Sequence, residues 1–189
     1  MRLAPIAPAD LTAEQKPLHD DMRNGVAKKY DLFQTVRADG ALLGPWSAWL
    51  HQPEVGTAIW GTTKAMTAFA IIPDGPRQVA ILAVGARFKA AYEIYAHSAV
   101  AGRKLGMSEA RLATLAAGQR PVDLSEEEGA AYDMAVALLS GGVLPEPIYR
   151  HALALFGQKG VNELTYLVGH YCLVSITLNA FAIPVPEGD

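Results

Sequence analysis

The fold is decided by residues 77–105, which read RQVAILAVGARFKAAYEIYAHSAVAGRKL. This stretch contains neither a proline nor a turn cluster, and its first half is apolar almost all round. A helix that packs against several neighbours at once needs such a surface. The stretch therefore predicts a central helical segment, either one long helix or two closely joined ones.

The rest of the chain follows the same helical pattern. Alanine is frequent, and apolar residues recur at helical spacing without the sustained alternation of a strand. Ser125 and Glu128 form a capping-box pattern, Thr12 and Gln15 a similar one, and Ser108 is a candidate N-cap. The predicted fold class is all-α, with helices over about 12–30, 45–50, 54–69, 77–105, 108–117, 125–139, 147–157 and from 161 to before Pro184.

Composition and charge exclude several kinds of function. The 189 residues suit one domain, and no linker is long enough to separate two. The net charge is −3 and there is no Lys/Arg-rich run, so nucleic acid is not expected as a partner. No apolar stretch follows the N-terminus as in a secretory signal, and we expect a cytoplasmic protein.

One uncharged stretch, Leu164–Pro186, has the length of a membrane span. Polar residues interrupt it, including His170, Ser175 and Asn179, and no basic flank follows it. We therefore expect no membrane insertion but a helix buried within the protein or in an oligomer.

The chain has a single cysteine, Cys172. One cysteine excludes an intramolecular disulfide, a CxxC redox pair and any metal site built on several thiolates. The sequence also lacks a glycine-rich phosphate loop, HExxH and GxSxG. We expect neither a metal nor an organic cofactor.

Glu93 and His97 are the first candidate catalytic residues. Four residues apart on a helix, they share a face, and the carboxylate can orient the imidazole and raise its basicity. The spacing fits an acid–base pair, and it also fits a contact on a solvated helix surface.

Other polar residues are candidates for ligand binding. Tyr92 and Tyr95 flank the pair and could donate phenolic hydrogen bonds or simply pack. Arg77, Arg87 and Lys89 could hold a carboxylate or line a solvated face. In the last helix Glu163, Tyr166 and His170 share a face, where His170 is either a partnered core residue or a catalytic one.

Three segments together resemble a known family. Residues 77–84 (RQVAILAV), 91–97 (AYEIYAH) and 106–108 (GMS) resemble the core of the carboxymuconolactone decarboxylase family, which shares the all-helical fold of the alkylhydroperoxidase D-like (AhpD-like) proteins. The likeness extends loosely to residues 39–45 and 178–184. It implies one AhpD-like multi-helix domain over residues 1–189, with residues 1–50 as a helical extension, and assembly into a homo-oligomer, a trimer or hexamer.

The sequence departs from the peroxidase branch of that fold. That branch carries CxxCxxxH, with a glutamate twelve residues before the first cysteine. Counted back from His97, these positions hold Glu93, Ala90 and Gln78. Thiol peroxidase chemistry needs one thiolate to be oxidised and another to resolve it, so we do not expect it here.

The decarboxylase branch implies a different reaction, the loss of carbon dioxide from a carboxylated unsaturated lactone without a cofactor. By this resemblance His97 delivers a proton, Glu93 orients it, and Arg77 or Arg87 holds the carboxylate. Tyr95 or His170 donates to the enolate oxygen, and Tyr92 lies beside the substrate. We therefore expect a lyase acting on a small carboxylated lactone or a related aromatic-degradation intermediate. The alternative is a catalytically silent ligand-binding or scaffold protein.

Overall fold

A computed structural model describes residues 1–29 and 31–186, apart from the side chains of residues 27–29. Within these residues the regular elements are helical, and the predicted all-α class is confirmed. The α-helices are α1 Gln15–Lys29, α2 Gly44–Trp49, α3 Pro53–Ala68, α4 Asp74–Phe88, α5 Ala91–Ala99, α6 Glu109–Ala116, α7 Glu126–Leu139 and α8 Glu146–Ala180. The predicted end of the first helix at Tyr30 lies outside the described residues.

The central stretch consists of two helices rather than one. Lys89 has a left-handed backbone (φ 52°) that ends α4, and α5 begins two residues later. After α5 the chain continues as a π-helical turn, Val100–Lys104. Helix α4 begins at Asp74, earlier than the predicted Arg77. Pro76 can lie in its first turn because a proline there costs no helical hydrogen bond.

The predicted helix ends agree well with the structure. The Ser125–Glu128 capping box is present, Ser108 accepts from the backbone N–H of Arg111, and Thr12 and Gln15 exchange hydrogen bonds. The expected break at Gly157 is a single non-helical residue (φ 65°, ψ 177°) inside α8. Helix α8 resumes directly after it, earlier than the predicted Val161.

The buried apolar residues form two clusters, and α5 lies between them. In the first, α4 packs against α6, α7 and α8 through residues such as Val79, Leu82 and Leu164. In the second, residues of the first fifty, including Met22 and Trp49, pack with α3, α5 and the end of α8. The side chains of α5 are thereby enclosed between the two clusters.

Among the described helices, none combines the length and the apolar composition that crossing a membrane requires.

Candidate active site

Glu93 and His97 lie one turn apart on α5; Glu93 is buried and His97 is nearly so. Glu93 is 3% exposed, and the side chain of His97 is 12% exposed. Their atoms Oε1 and Nε2 are 3.3 Å apart. The interpretation as a contact on a solvated surface is therefore wrong, because the two side chains face the interior.

The contact between the two side chains is close but is not an aligned hydrogen bond. Oε1 of Glu93 is fully buried and has no hydrogen-bond partner among the described residues. A buried polar atom without a partner costs free energy, about 1–3 kcal/mol. In an enclosed site such an atom is available to a bound molecule.

The other ring nitrogen of His97 contacts a residue that the sequence analysis did not propose for the site. Nδ1 lies 2.7 Å from Oε1 of Gln78, a buried residue of α4. Gln78 was identified only as the replacement for a relay glutamate. The signal in the sequence was its place at the relay position, nineteen residues before His97. Gln78 contacts His97 because α4 and α5 pack against each other.

The pair opens into a small cavity with largely aromatic walls. Its free volume is about 40 Å³, room for a few water molecules. Side chains from five parts of the chain line it: Phe33, Pro45, Trp46, Trp49, Thr63, Tyr92, Glu93, Ala96, His97, His170, Tyr171 and Val174. Apart from the tyrosines, the titratable side chains among these described lining residues are Glu93, His97 and His170.

Burial keeps the pair uncharged. It raises the pKa of Glu93 to about 8, because a carboxylate loses its hydration inside the protein. Burial also lowers the pKa of His97 to about 3, and the positive charge of Arg77 acts in the same direction. At neutral pH the site therefore holds a carboxylic acid beside a neutral imidazole.

The two tyrosines of α5 hold the wall of the cavity. Tyr92 lines it, and its hydroxyl donates to the backbone oxygen of Gln34 (3.1 Å). The backbone N–H of Gln34 donates to the hydroxyl of Tyr95 (3.0 Å). Both hydroxyls thus contact residue 34, and Tyr92 presents its ring to the cavity.

The arginines proposed as carboxylate anchors lie elsewhere. Arg77 forms an ion pair with Glu163 and donates to the backbone oxygen of Met66 (3.0 Å). It lines a second, more polar cavity of about 220 Å³, which His97 also lines. Arg87 is exposed at the end of α4, and so is Lys89.

His170 reaches the aromatic cavity from α8. Its Nε2 is 3.1 Å from the hydroxyl of Thr63, and burial lowers its pKa to about 4. Tyr171 lies between the two imidazoles, with ring centroids 5.0 Å from His97 and 5.5 Å from His170. Tyr166, proposed for the same face, is 65% exposed and lies outside the cavity.

A second unpartnered polar atom belongs to the cavity wall. The indole Nε1 of Trp49 is buried and has no hydrogen-bond partner in the described part of the chain. An indole N–H can only donate. Among the described lining residues, Trp49 thus has an unpaired donor and Glu93 an unpaired carboxyl oxygen.

Comparison with known proteins supports the fold and leaves the activity open. No protein-family model and no curated protein matches the sequence. Among solved structures, an uncharacterised peroxidase-related protein with an alkylhydroperoxidase AhpD core, from Ralstonia eutropha JMP134, matches with a TM-score of 0.76 at 15% identity, covering 98% of this chain and 92% of the other. This chain has the AhpD-like fold.

Two further structures with the AhpD-like fold are similar to this chain. A single-residue variant of the debrominase Bmp8, in complex with 2,3,4-tribromopyrrole, has a TM-score of 0.72 at 16% identity, covering 99% of this chain and 92% of that chain. A protein of unknown function from Agrobacterium tumefaciens, named for AhpD antioxidant defence, has a TM-score of 0.64 at 15% identity, covering 73% and 94%. Proteins of this fold thus include enzymes, and at such identities the likeness concerns the fold alone.

The chemistry available at this cavity is that of a carboxyl group and imidazoles. Cys172 is half-buried on α8 and is not among the described lining residues, and burial raises the pKa of its thiol. Within residues 1–29 and 31–186, no three His, Cys, Asp or Glu side chains are grouped as metal ligands.

Proposed function

We propose that the aromatic cavity is the active site of an enzyme that uses side chains alone to transfer a proton to or from carbon in a small unsaturated substrate. The observation that carries this proposal is the buried Glu93–His97 pair, with its unpartnered carboxyl oxygen, in the cavity wall. Keeping an acidic group neutral at physiological pH costs stability, and such groups are concentrated in catalytic sites.

In this proposal Glu93 is the general acid. A group with a pKa near the working pH is the most effective acid–base catalyst, and burial gives Glu93 a pKa of about 8. His97 acts as the base when a proton is removed from carbon, because its ring is neutral. Its Nε2 lies 3.3 Å from Oε1 of Glu93, so the two groups can exchange that proton. The assignment exchanges the roles expected from the sequence, where His97 delivered the proton.

The reaction balances without an oxidant or a reductant. An electron pair released in the substrate moves onto its carbonyl oxygen to give an enolate, which a free donor such as the indole N–H of Trp49 can stabilise. The O–H bond of Glu93 then breaks as a C–H bond forms at the substrate carbon. In proton exchange on a neutral lactone the released pair comes from a C–H bond whose proton moves to Nε2 of His97, and in a decarboxylation it comes from the bond to the departing carbon dioxide.

With room for a few water molecules, the cavity favours a flat, uncharged portion of a substrate. Its walls are aromatic, and a carboxylate inside would meet no free guanidinium, because Arg77 pairs with Glu163 and Arg87 is exposed. Decarboxylation of a carboxylated lactone, the lyase activity that the family resemblance implies, is one reaction of the proposed class. Neutral unsaturated lactones are the better first substrates, with their carboxylated analogues tested beside them.

The test follows solvent deuterium into carbon. Wild-type protein is incubated in D₂O with a panel of unsaturated lactones, with and without a carboxylate, and NMR records C–D formation and loss of carbon dioxide. The Glu93→Gln variant keeps the shape of the side chain but has no acidic proton, and we expect a rate at least ~10²-fold lower.

The matched control is Glu127→Gln, an exposed glutamate on α7 that should leave the rate unchanged. Equal rates for Glu93→Gln and wild type would refute the proposal. Binding of panel members without any exchange or turnover would instead support the catalytically silent ligand-binding protein.

A further inference from the structure

His97 lines two cavities, and each of its ring nitrogens contacts a residue that lines only one of them. Nε2 faces Glu93 in the aromatic cavity, and Nδ1 faces Gln78, which lines the polar cavity. The 2.7 Å contact with Gln78 is the shorter of the two. The group that contacts Nδ1 therefore decides which ring nitrogen of His97 carries the proton.

The chemistry of an amide oxygen determines where the ring proton lies. A carbonyl oxygen accepts hydrogen bonds and cannot donate, so Nδ1 of His97 carries the proton in its contact with Oε1 of Gln78. A neutral imidazole has only one N–H, and Nε2 is then left with its lone pair directed towards Glu93. This tautomer is the one that can receive the proton of the Glu93 carboxyl.

The charges around His97 give a second reason for an amide at this position. On α4, Arg77 is a nearby cation paired with Glu163 of α8, and Lys104 of the π-helical turn pairs with Asp74. The α8 groups facing the ring are His170 and Tyr171.

None of these groups places a negative charge against Nδ1, and the amide of Gln78 adds none. A carboxylate there would stabilise the imidazolium form. Glutamine gives the hydrogen bond without the charge.

We propose that Gln78 is a positioning residue of the site, which holds His97 as the neutral Nδ1–H tautomer and so keeps Nε2 free to exchange a proton with Glu93. The catalytic meaning of this inference rests on the proposed function. The tautomer itself does not, and it can be measured without a substrate.

The first measurement is the ¹⁵N NMR spectrum of protein labelled at its histidine rings, recorded as a function of pH. The His97→Gln variant identifies the His97 signals among those of the five histidines. Ring nitrogens with and without a proton have well separated shifts, and the two nitrogens of an imidazolium are similar. We expect wild-type His97 to be neutral at pH 7 and protonated at Nδ1.

Two variants of similar size separate charge from hydrogen bonding. Gln78→Glu places a carboxylate at Nδ1 and should raise the titration midpoint of His97 by more than about one pH unit. Gln78→Met removes the acceptor and should give a mixture of tautomers without raising the midpoint. Circular dichroism checks that both variants fold, and either folded variant alone tests the inference.

Two results would overturn it: a wild-type ring protonated at Nε2, or a tautomer and midpoint that neither variant changes. With an active substrate, Gln78→Glu should lose turnover on the acid side of the pH profile, because imidazolium has no free Nε2, whereas Gln78→Met should keep the shape of the profile. If no substrate turns over, the proposed function fails while the NMR result on Gln78 still stands.

Discussion

The Glu93 carboxyl group is costly for this protein to bury. Removing an ionisable group from water favours its neutral form, and here that raises the pKa to about 8. One of its oxygens also lacks a hydrogen bond among the described residues. A leucine at this position would avoid both costs, so the carboxyl is better explained by chemistry than by stability.

The cost of Glu93 should appear as a dependence of stability on pH. Below about pH 4.5 the carboxyl is protonated in both the folded and the unfolded chain. Between about pH 4.5 and pH 8 the carboxyl is ionised in the unfolded chain and still protonated in the folded chain. The free energy of unfolding therefore falls by up to ~1.4 kcal/mol per pH unit over this range. Glu93→Gln removes this term, and urea unfolding should show it gaining stability over wild type between about pH 5 and pH 8.

The contribution of His97 to stability depends on pH in the opposite direction, because burial lowers its pKa. The stability of the folded protein that depends on a neutral His97 is lost as the pH falls below about 6.5. It is present in both proteins and largely cancels in their difference. The control Glu127→Gln replaces an exposed glutamate, and its difference from wild type should stay nearly constant between pH 5 and pH 8. A stability difference for Glu93→Gln that is constant across this range would contradict the raised pKa.

The sequence predicted the centre of this site but not its surroundings. Glu93 and His97 were visible because four-residue spacing puts them on one helix face. Thr63 and Trp49 come from distant segments, and only the packing of α2 and α3 against α8 brings them to the cavity. The position of Arg77 was not predictable because its ion-pair partner, Glu163, lies 86 residues away.

At the scale of elements, the sequence predicted those helix ends that have local chemical causes. The capping residues Ser108 and Ser125 and the glycine at 157 act within a few residues of the helix end they specify. The break between α4 and α5 has no such signal, because Lys89 adopts a left-handed backbone within residues 86–101, which contain neither glycine nor proline. Tertiary packing rather than local propensity accounts for that junction.

Gly157 should be required for the break in α8. Its φ of 65° and ψ of 177° lie in a region that side chains with a Cβ rarely enter. An added Cβ would meet no atom within 4 Å, so the cost of Gly157→Ala is confined to the backbone. We expect a loss of about 1–3 kcal/mol in the free energy of unfolding, measured by urea denaturation.

A matched control for this prediction is Gly61→Ala, in the exposed interior of α3, where the added Cβ also meets nothing. There alanine should stabilise by about 0.5–1 kcal/mol, because glycine is a poor helix former. If both variants changed stability in the same direction, the strained backbone at Gly157 would not be the cause.

At the scale of the whole molecule, the face formed by α3 and the second half of α8 has an unusually apolar surface. Large apolar side chains are exposed along it: Val55, Phe69, Ile71, Tyr166, Leu173 and Ile176. A groove runs along the middle of this face between α3 and α8. It is lined by uncharged residues and by His170, which also lines the aromatic cavity. A monomer seldom leaves so long an apolar surface open to water.

We therefore expect the protein to self-associate through this α3–α8 face, in line with the trimer or hexamer that the family resemblance implies. Because the middle of this face is uncharged, another copy can pack there without bringing like charges together. Sedimentation velocity at micromolar concentration should give an oligomer for wild type. Ile176→Glu places a charge on the face and should shift the protein towards the monomer, since burying an unpaired carboxylate is unfavourable.

The comparison variant for the α3–α8 face is Val143→Glu, an almost fully exposed valine in the turn after α7, which should sediment like wild type. A monomeric wild type would rule out the self-association, and an oligomer unaffected by Ile176→Glu would place the interface elsewhere. Because His170 lines both this face and the aromatic cavity, a second copy seated on this face would cover one wall of that cavity. The single chain already buries His170 and lowers its pKa to about 4, so a covering copy should lower this pKa further, and loss of the oligomer should return it to the single-chain value, as the histidine ¹⁵N titration measures in the same samples.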